Sequence, residues 1–119
     1  MFRPVLLALP IALVLPSAHA QDAAAGGVAF MQCADCHSTA GNDGVGPGLK
    51  DILGRRAGAK AGFLYSPAMA KSGLTWDAKT LDAFLADPKE KVPGTTMAFP
   101  GVDDAKDRAD LIAYLRTLK

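Results

Sequence analysis

Cys33-Ala34-Asp35-Cys36-His37 is the stretch that decides how this 119-residue chain is read. Two thiols three residues apart, with a histidine directly after the second, match the pattern that attaches haem c. Each thiol can add to one vinyl group of the porphyrin, and the imidazole that follows is then held under the iron as an axial ligand. His37 is therefore the proximal ligand candidate, Cys33 and Cys36 are the attachment points, and one covalent haem c is the expected cofactor. A lone histidine is ordinarily a surface or core residue; its place after Cys36 overrides that reading.

Two other chemistries compete for the same thiols. A thioredoxin-like redox pair would want a strand just upstream within a βαβ pattern, whereas the upstream segment is alanine-rich and reads as helix. Zinc is a weaker fit: with His19 removed by processing, one histidine and two cysteines remain, a ligand short of a closed tetrahedral site. A haem reading requires a sixth ligand, and methionine is the soft neutral donor to test. Met31 lies two residues before Cys33, on the proximal helix, and Met69 sits in a short helical turn; both are assigned to packing. Met97 lies in the proline-and-glycine loop Val92-Pro93-Gly94-Thr95-Thr96-Met97, far along the chain from His37, so that loop can close over the other haem face. Met97 is the expected distal ligand.

The first twenty residues read as an export signal. Arg3 supplies a positive start, and Val5 to Leu15 is apolar apart from Pro10. Ala18 and Ala20 occupy the small-residue positions of a cleavage site before Gln21. The apolar run falls well short of the ~20 residues that span a bilayer. The expected organisation is a signal peptide over 1–20, cleaved after Ala20, and one domain over 21–119, periplasmic and without stable membrane insertion. Of 13 Lys+Arg and 12 Asp+Glu, only Arg3 is lost on cleavage, which leaves the charges balanced. That argues against nucleic acid as a partner, since phosphate binding needs a basic excess. A domain this small buries little surface of its own, and a large apolar cofactor would complete its core.

Hydrophobic spacing predicts an all-α domain. Asp22 is a plausible cap for a helix running to Cys33. Gly26 and Gly27 inside it mean either a close approach by another element or a weak first turn. Residues 38–66 are glycine-rich loop with no useful alternation, so sheet is not expected. Ser66-Pro67 marks the start of a short helix to about Ser72. Thr75 is expected to cap a longer helix carrying Leu81, Phe84 and Leu85 on one face, with Pro88 just past its end. The last helix is expected from about Asp104 to Leu118. Three main helices, short helices and long loops make up the expected fold, and a compact domain carries such loops for a reason; a haem to wrap is that reason.

The chain resembles a class I c-type cytochrome of the mitochondrial and photosynthetic-bacterial type. The matching segments are Cys33-Ala34-Asp35-Cys36-His37, Gly46-Pro47-Gly48-Leu49, Gly54-Arg55-Arg56, Gly62-Phe63-Leu64-Tyr65-Ser66, Gly73-Leu74-Thr75-Trp76, Val92-Pro93-Gly94-Thr95-Thr96-Met97-Ala98-Phe99 and Asp110-Leu111-Ile112-Ala113-Tyr114-Leu115. The resemblance implies that the Pro47 carbonyl takes a hydrogen bond from the His37 ring. It implies that Arg55, Tyr65 and Trp76 lie near the haem propionates, that Thr95 supports the Met97 loop and that Phe99 screens the haem from water. It also implies that Gly26 sits where the first and last helices cross near Tyr114.

Two departures from the family pattern stand out. Phe84 replaces a tyrosine that mitochondrial relatives direct at the methionine sulfur. Gln32, Glu90, Thr96, Asp103 and Asp104 fall where relatives often carry lysine, although Lys89 remains. Electrostatic steering toward an acidic partner is expected to be weaker. The implied function is single-electron transfer by a monomer, with no enzymatic activity and with transient redox-protein partners. Donors would be a quinol-oxidising complex or a dehydrogenase, and acceptors a terminal oxidase or reductase. The alternatives are an electron-transfer subunit of a stable periplasmic enzyme, and a peroxidase or gas sensor with a labile sixth ligand.

Overall fold

The computed structural model describes residues 9–14 and 21–119. Residues 9–14 are exposed and form no regular structure. The rest of the expected signal segment, with its cleavage site at Ala20, lies outside the described residues.

Five α-helices carry the domain: α1 Ala23–Ala29, α2 Pro67–Ala70, α3 Ala78–Ala86, α4 Pro88–Lys91 and α5 Ala105–Leu115. No strand is formed among the described residues. The all-α expectation holds, with α1, α3 and α5 as the main helices.

α1 starts where the sequence placed it. The Asp22 carboxylate accepts from the Ala24 and Ala25 amides at 2.9 and 3.1 Å, satisfying donors that the first turn leaves unpaired. Beyond Ala29 the chain tightens into a 3₁₀ turn, Phe30–Gln32. That turn sends Phe30 into the core and Met31 outward, where it is 71% exposed. Met31 is therefore not the packing residue that the sequence suggested.

α1 crosses α5 at Gly26. A Cβ there would overlap the Asp110 carbonyl and come within 2.8 Å of the Tyr114 Cβ. Gly26 thus lets two backbones meet, and Phe30 then stacks on Tyr114 with ring centroids 5.2 Å apart. Beside the crossing, the buried Asp110 carboxylate accepts from the Asp22 amide at 2.9 Å and pairs with Lys106 Nζ at 2.7 Å. The Lys106 hydrogen bond, followed by the Asp22 amide, holds this carboxyl below the usual carboxylate range.

The start of α3 differs from the sequence expectation. Its cap is Asp77, which accepts from the Thr80 amide at 2.7 Å, and the helix begins at Ala78. Thr75 is unavailable because its segment is extended and paired across the domain. Arg56 and Thr75 form an antiparallel bridge, with Trp76 N–H donating to Arg55 O and Gly54 N–H to Trp76 O, both at 2.9 Å. α4 was not foreseen. Asp87 is extended, as a residue before proline tends to be, and its carboxylate accepts from the Glu90 amide at 3.2 Å. Pro88 therefore both follows one helix and opens the next. α5 stops at Leu115, with Arg116 and Thr117 in a closing turn.

The core is built from Leu111, Ile112, Leu115 and Leu118 of the C-terminal region, Leu81, Phe84 and Leu85 of α3, and Phe30, Ile52 and Trp76. Arg108 locks α5 to α3: its Nε donates to Asp82 at 2.8 Å and its Nη1 to the Val102 and Asp103 carbonyls.

Replacing Gly26 by Ala should lower the unfolding free energy by at least about 1–3 kcal/mol, the range for overpacking a filled contact, as read by denaturant titration; an unchanged midpoint would contradict the close crossing. Asp110→Asn tests the carboxylate. Its folded pKa is depressed, so its stabilisation is complete at neutral pH and is lost as pH falls through and below the ordinary carboxyl value near ~3.9. The variant should be less stable than the parent at pH 7, with the difference shrinking below about pH 4.

Candidate functional site

The Cys33–His37 segment folds back on itself directly after the 3₁₀ turn. The Cys36 and His37 amides both donate to the Cys33 carbonyl, at 3.1 and 3.0 Å. This short turn brings both sulfurs and the imidazole to one cleft. Both thiols are free; Cys33 is half-buried and Cys36 exposed. Burial pushes the Cys33 thiol pKa up, and the neighbouring Cys36 adds to this.

A second loop fixes the imidazole. His37 Nδ1 lies 2.8 Å from the Pro47 carbonyl. A carbonyl only accepts, so Nδ1 carries the proton and Nε2 keeps its lone pair for coordination. Gly46 is buried against the ring face: a Cβ there would come within 2.6 Å of Nδ1 and 2.8 Å of Nε2. Its amide donates to the Cys36 carbonyl at 2.8 Å, closing the loop onto the attachment segment.

A third loop brings Thr95, Thr96, Met97, Ala98 and Phe99 to the same cleft. It turns at Gly94, which has φ +95°, and the Thr95 amide donates to Val92 O at 3.0 Å. The Met97 amide donates to Thr95 Oγ1 at 3.3 Å, so Thr95 does brace the methionine segment. Between the loops, Ile52, Trp76, Leu81, Phe84, Leu85, Leu111 and Leu115 supply apolar walls. The cleft has a volume of about 290 Å³.

All ten residues singled out from the sequence line this one cleft: Cys33, Cys36, His37, Pro47, Arg55, Tyr65, Trp76, Thr95, Met97 and Phe99. Arg55 has a further task, since its Nη1 donates to the Gly48 and Lys50 carbonyls at 3.0 and 3.1 Å. Trp76 is buried and packs on Phe84 with centroids 4.9 Å apart. Tyr65 meets Phe63 edge-on at 4.9 Å.

Several lining residues were not singled out as site residues. Leu81 and Leu85 were visible only as a helical stripe, which is equally the signature of core. Met69, assigned to packing, is partly buried against the core and also lines the cleft. Phe63 stood inside a matching segment but drew no role. Val45 gave no signal, because an isolated valine in a glycine-rich loop has no periodicity to read.

The donor set suits a haem. Two unbonded thiols and an imidazole with its distal nitrogen free come from one short segment, a thioether comes from another, and the surface between them is apolar. The bare Gly46 face leaves the ring room to lie flat. Among the described residues no three His, Cys, Asp or Glu side chains gather as an ion site of their own, so the zinc reading gains no support.

Residues 23–119 match the family model described as Cytochrome c. A cytochrome c2 iso-2 of Magnetospirillum fulvum is 53% identical over 91 residues, spanning 76% of this chain and 95% of the relative. A cytochrome c2 of Rhodomicrobium vannielii is 48% identical over 100 residues, covering 82% of this chain and 80% of its own length. Among solved structures, cytochrome cH from Methylobacterium extorquens superposes with a TM-score of 0.78 at 54% identity, covering 81% of this chain and 98% of that one.

Gly46→Ala should displace the imidazole and weaken its bond to Pro47. The expected readouts are loss of the protected His37 Nδ1 proton signal in NMR and a stability loss of about 1–3 kcal/mol; retention of the proton signal would contradict the packing.

Proposed function

The chain belongs to the cytochrome c family, and from that premise we propose that it is a periplasmic single-electron shuttle, taking electrons from a quinol-oxidising complex or a dehydrogenase and passing them to a terminal oxidase or reductase. It is a class I electron carrier, and one haem c is bound covalently through Cys33 and Cys36. When bound, the haem supplies a one-electron iron couple.

The remaining work falls to side chains. His37 Nε2 would hold the metal from one face, with the Pro47 carbonyl fixing the ring and raising its basicity. Met97 would hold it from the other, a soft neutral donor that favours the reduced state and raises the potential. The walls from Ile52 to Leu115 keep water out, and a low-dielectric surrounding disfavours the extra positive charge of the oxidised state. Arg55, Tyr65 and Trp76 are assigned to the propionates; each carries an N–H or O–H that donates to a carboxylate. Phe84 lines the cleft without a hydroxyl, so no side-chain donor from that position reaches the Met97 sulfur.

The observation that carries this reading is the convergence of Cys33, Cys36, His37 and Met97 on one apolar cleft. With His37 and Met97 both holding the metal, the chain would leave no open coordination site for a substrate, which supports a carrier over a peroxidase or gas sensor. No helix of the described residues is long and apolar enough to cross a membrane, which accords with a shuttle between larger complexes. The export-like Met1–Ala20 segment supports the periplasmic location and cleavage after Ala20. Encounters with partners should be brief and small in area, as between redox pairs.

Met97→Ala should keep covalent haem, lose the weak near-infrared band expected of this family, and drop the potential by an appreciable part of the ~0.8 V span over which axial ligands act. Unchanged spectra and potential would remove Met97 from the metal. Cys36→Ser should impair covalent attachment; normal haem incorporation in that variant would refute the two-thiol tether. Ready carbon monoxide binding by the reduced protein at neutral pH would favour the gas-sensor reading instead.

A further inference from the structure

The exposed side chains that line the cleft are uncharged. Its exposed lining residues include Gln32, Val45, Thr96 and Ala98, and Val45 is 80% exposed. The surface extends from Gln32 along α1 and the 3₁₀ turn. Val28 and Met31, three residues apart and so on one helical face, are 68% and 71% exposed. Arg55 is the one charged side chain lining the cleft among the described residues. It is half-buried and already donates to two backbone carbonyls. The charge within the attachment segment is an acid, the exposed Asp35.

From this distribution we infer that the surface formed by Val28, Met31, Gln32, Val45, Thr96 and Ala98 is the electron-transfer contact, and that it fits a redox protein whose own electron-exit surface is uncharged and apolar. The inference rests on the carrier reading and goes beyond it by giving the chemistry of the partner. An acidic partner would find no free cation among the exposed residues lining the cleft, and carboxylates seated on its valine and on the neighbouring methionine would be desolvated without compensation. An apolar partner gains from covering the same side chains, at roughly 25 cal/mol per Å² of apolar area. Because charge complementarity chiefly raises association rates, an encounter of this kind is slower to form and nearly indifferent to salt. In each encounter one electron passes from the reduced to the oxidised protein, with no bond made or broken.

A second copy of the chain presents such a surface and serves as the probe. Electron self-exchange, read from NMR line broadening in mixtures of oxidised and reduced haem-loaded protein, should stay within about twofold between ~0.01 and ~0.1 M salt, where the screening length falls from roughly 30 to 10 Å. Steered pairs change by about tenfold or more. The double variant Gln32→Lys/Thr96→Lys, with spectrum and melting temperature retained, should slow self-exchange about tenfold or more at low salt and recover as salt rises. Separately, concentrating the fully reduced protein should shift amide signals at Gln32, Val45, Thr96 and Ala98. A tenfold salt response in the parent, a double variant with an unchanged rate, or shifts centred elsewhere would each overturn this contact surface. A protein that cannot be cycled between oxidised and reduced forms would overturn the carrier reading, and this inference with it.

Discussion

The hydrogen bond between His37 Nδ1 and the Pro47 carbonyl is the constraint on which the site depends. It joins the attachment segment to the loop that returns beneath it, sets the tautomer, and leaves Nε2 as the nitrogen with a free lone pair. The bond is possible only because Gly46 has no side chain: any Cβ there would press into the face of the ring, against Cε1. A glycine, a proline carbonyl and a histidine ten residues from that carbonyl thus act as one unit. The order of these residues along the chain has chemical meaning only because the loop between them closes through Gly46 N–H to Cys36 O.

That unit is held in place by the helix crossing beside it. α1 delivers Cys33 through the Phe30–Gln32 turn, so the position of the thiols follows from where α1 lies on α5. Gly26 sets the depth of the crossing, and Asp110 ties the first amide ahead of α1 to the last helix. Leu111 and Leu115, on the same stretch of α5, belong to the core and to the cleft wall at once. The hydrophobic core and the cofactor cleft are two sides of one set of side chains. This explains how so short a domain supports such long irregular loops: what they wrap is part of the core.

Local chemistry was legible in the sequence and non-local backbone pairing was not. Asp22, Ser66 and Asp104 cap helices through side-chain bonds reaching two or three residues ahead, and such signals survive without a fold. Thr75 misled because its backbone pairs with Arg56, nineteen residues earlier; nothing near Thr75 announces that partner, and the cap passes to Asp77. Pro88 was visible as a stop, but its role as a first helical residue needed Asp87 to be extended. Met31 looked apolar enough to pack, yet the change from α to 3₁₀ geometry after Ala29 rotates it outward. The residues that line the cleft were more legible than the helix ends, because the spacing of thiols and imidazole is dictated by a rigid cofactor and the others stand in motifs that resemble a family's.

Gln32, Val45, Thr96 and Ala98 stand exposed and uncharged at the cleft, and Phe84 packs on Trp76 in its wall. The most direct measurement of the central claim is the mass and thiol count of the chain expressed with haem-ligation machinery in an exporting host. One haem added per chain, with both Cys33 and Cys36 resistant to alkylation after unfolding, is the result this account predicts. A folded, colourless protein with both thiols free to alkylate would contradict it.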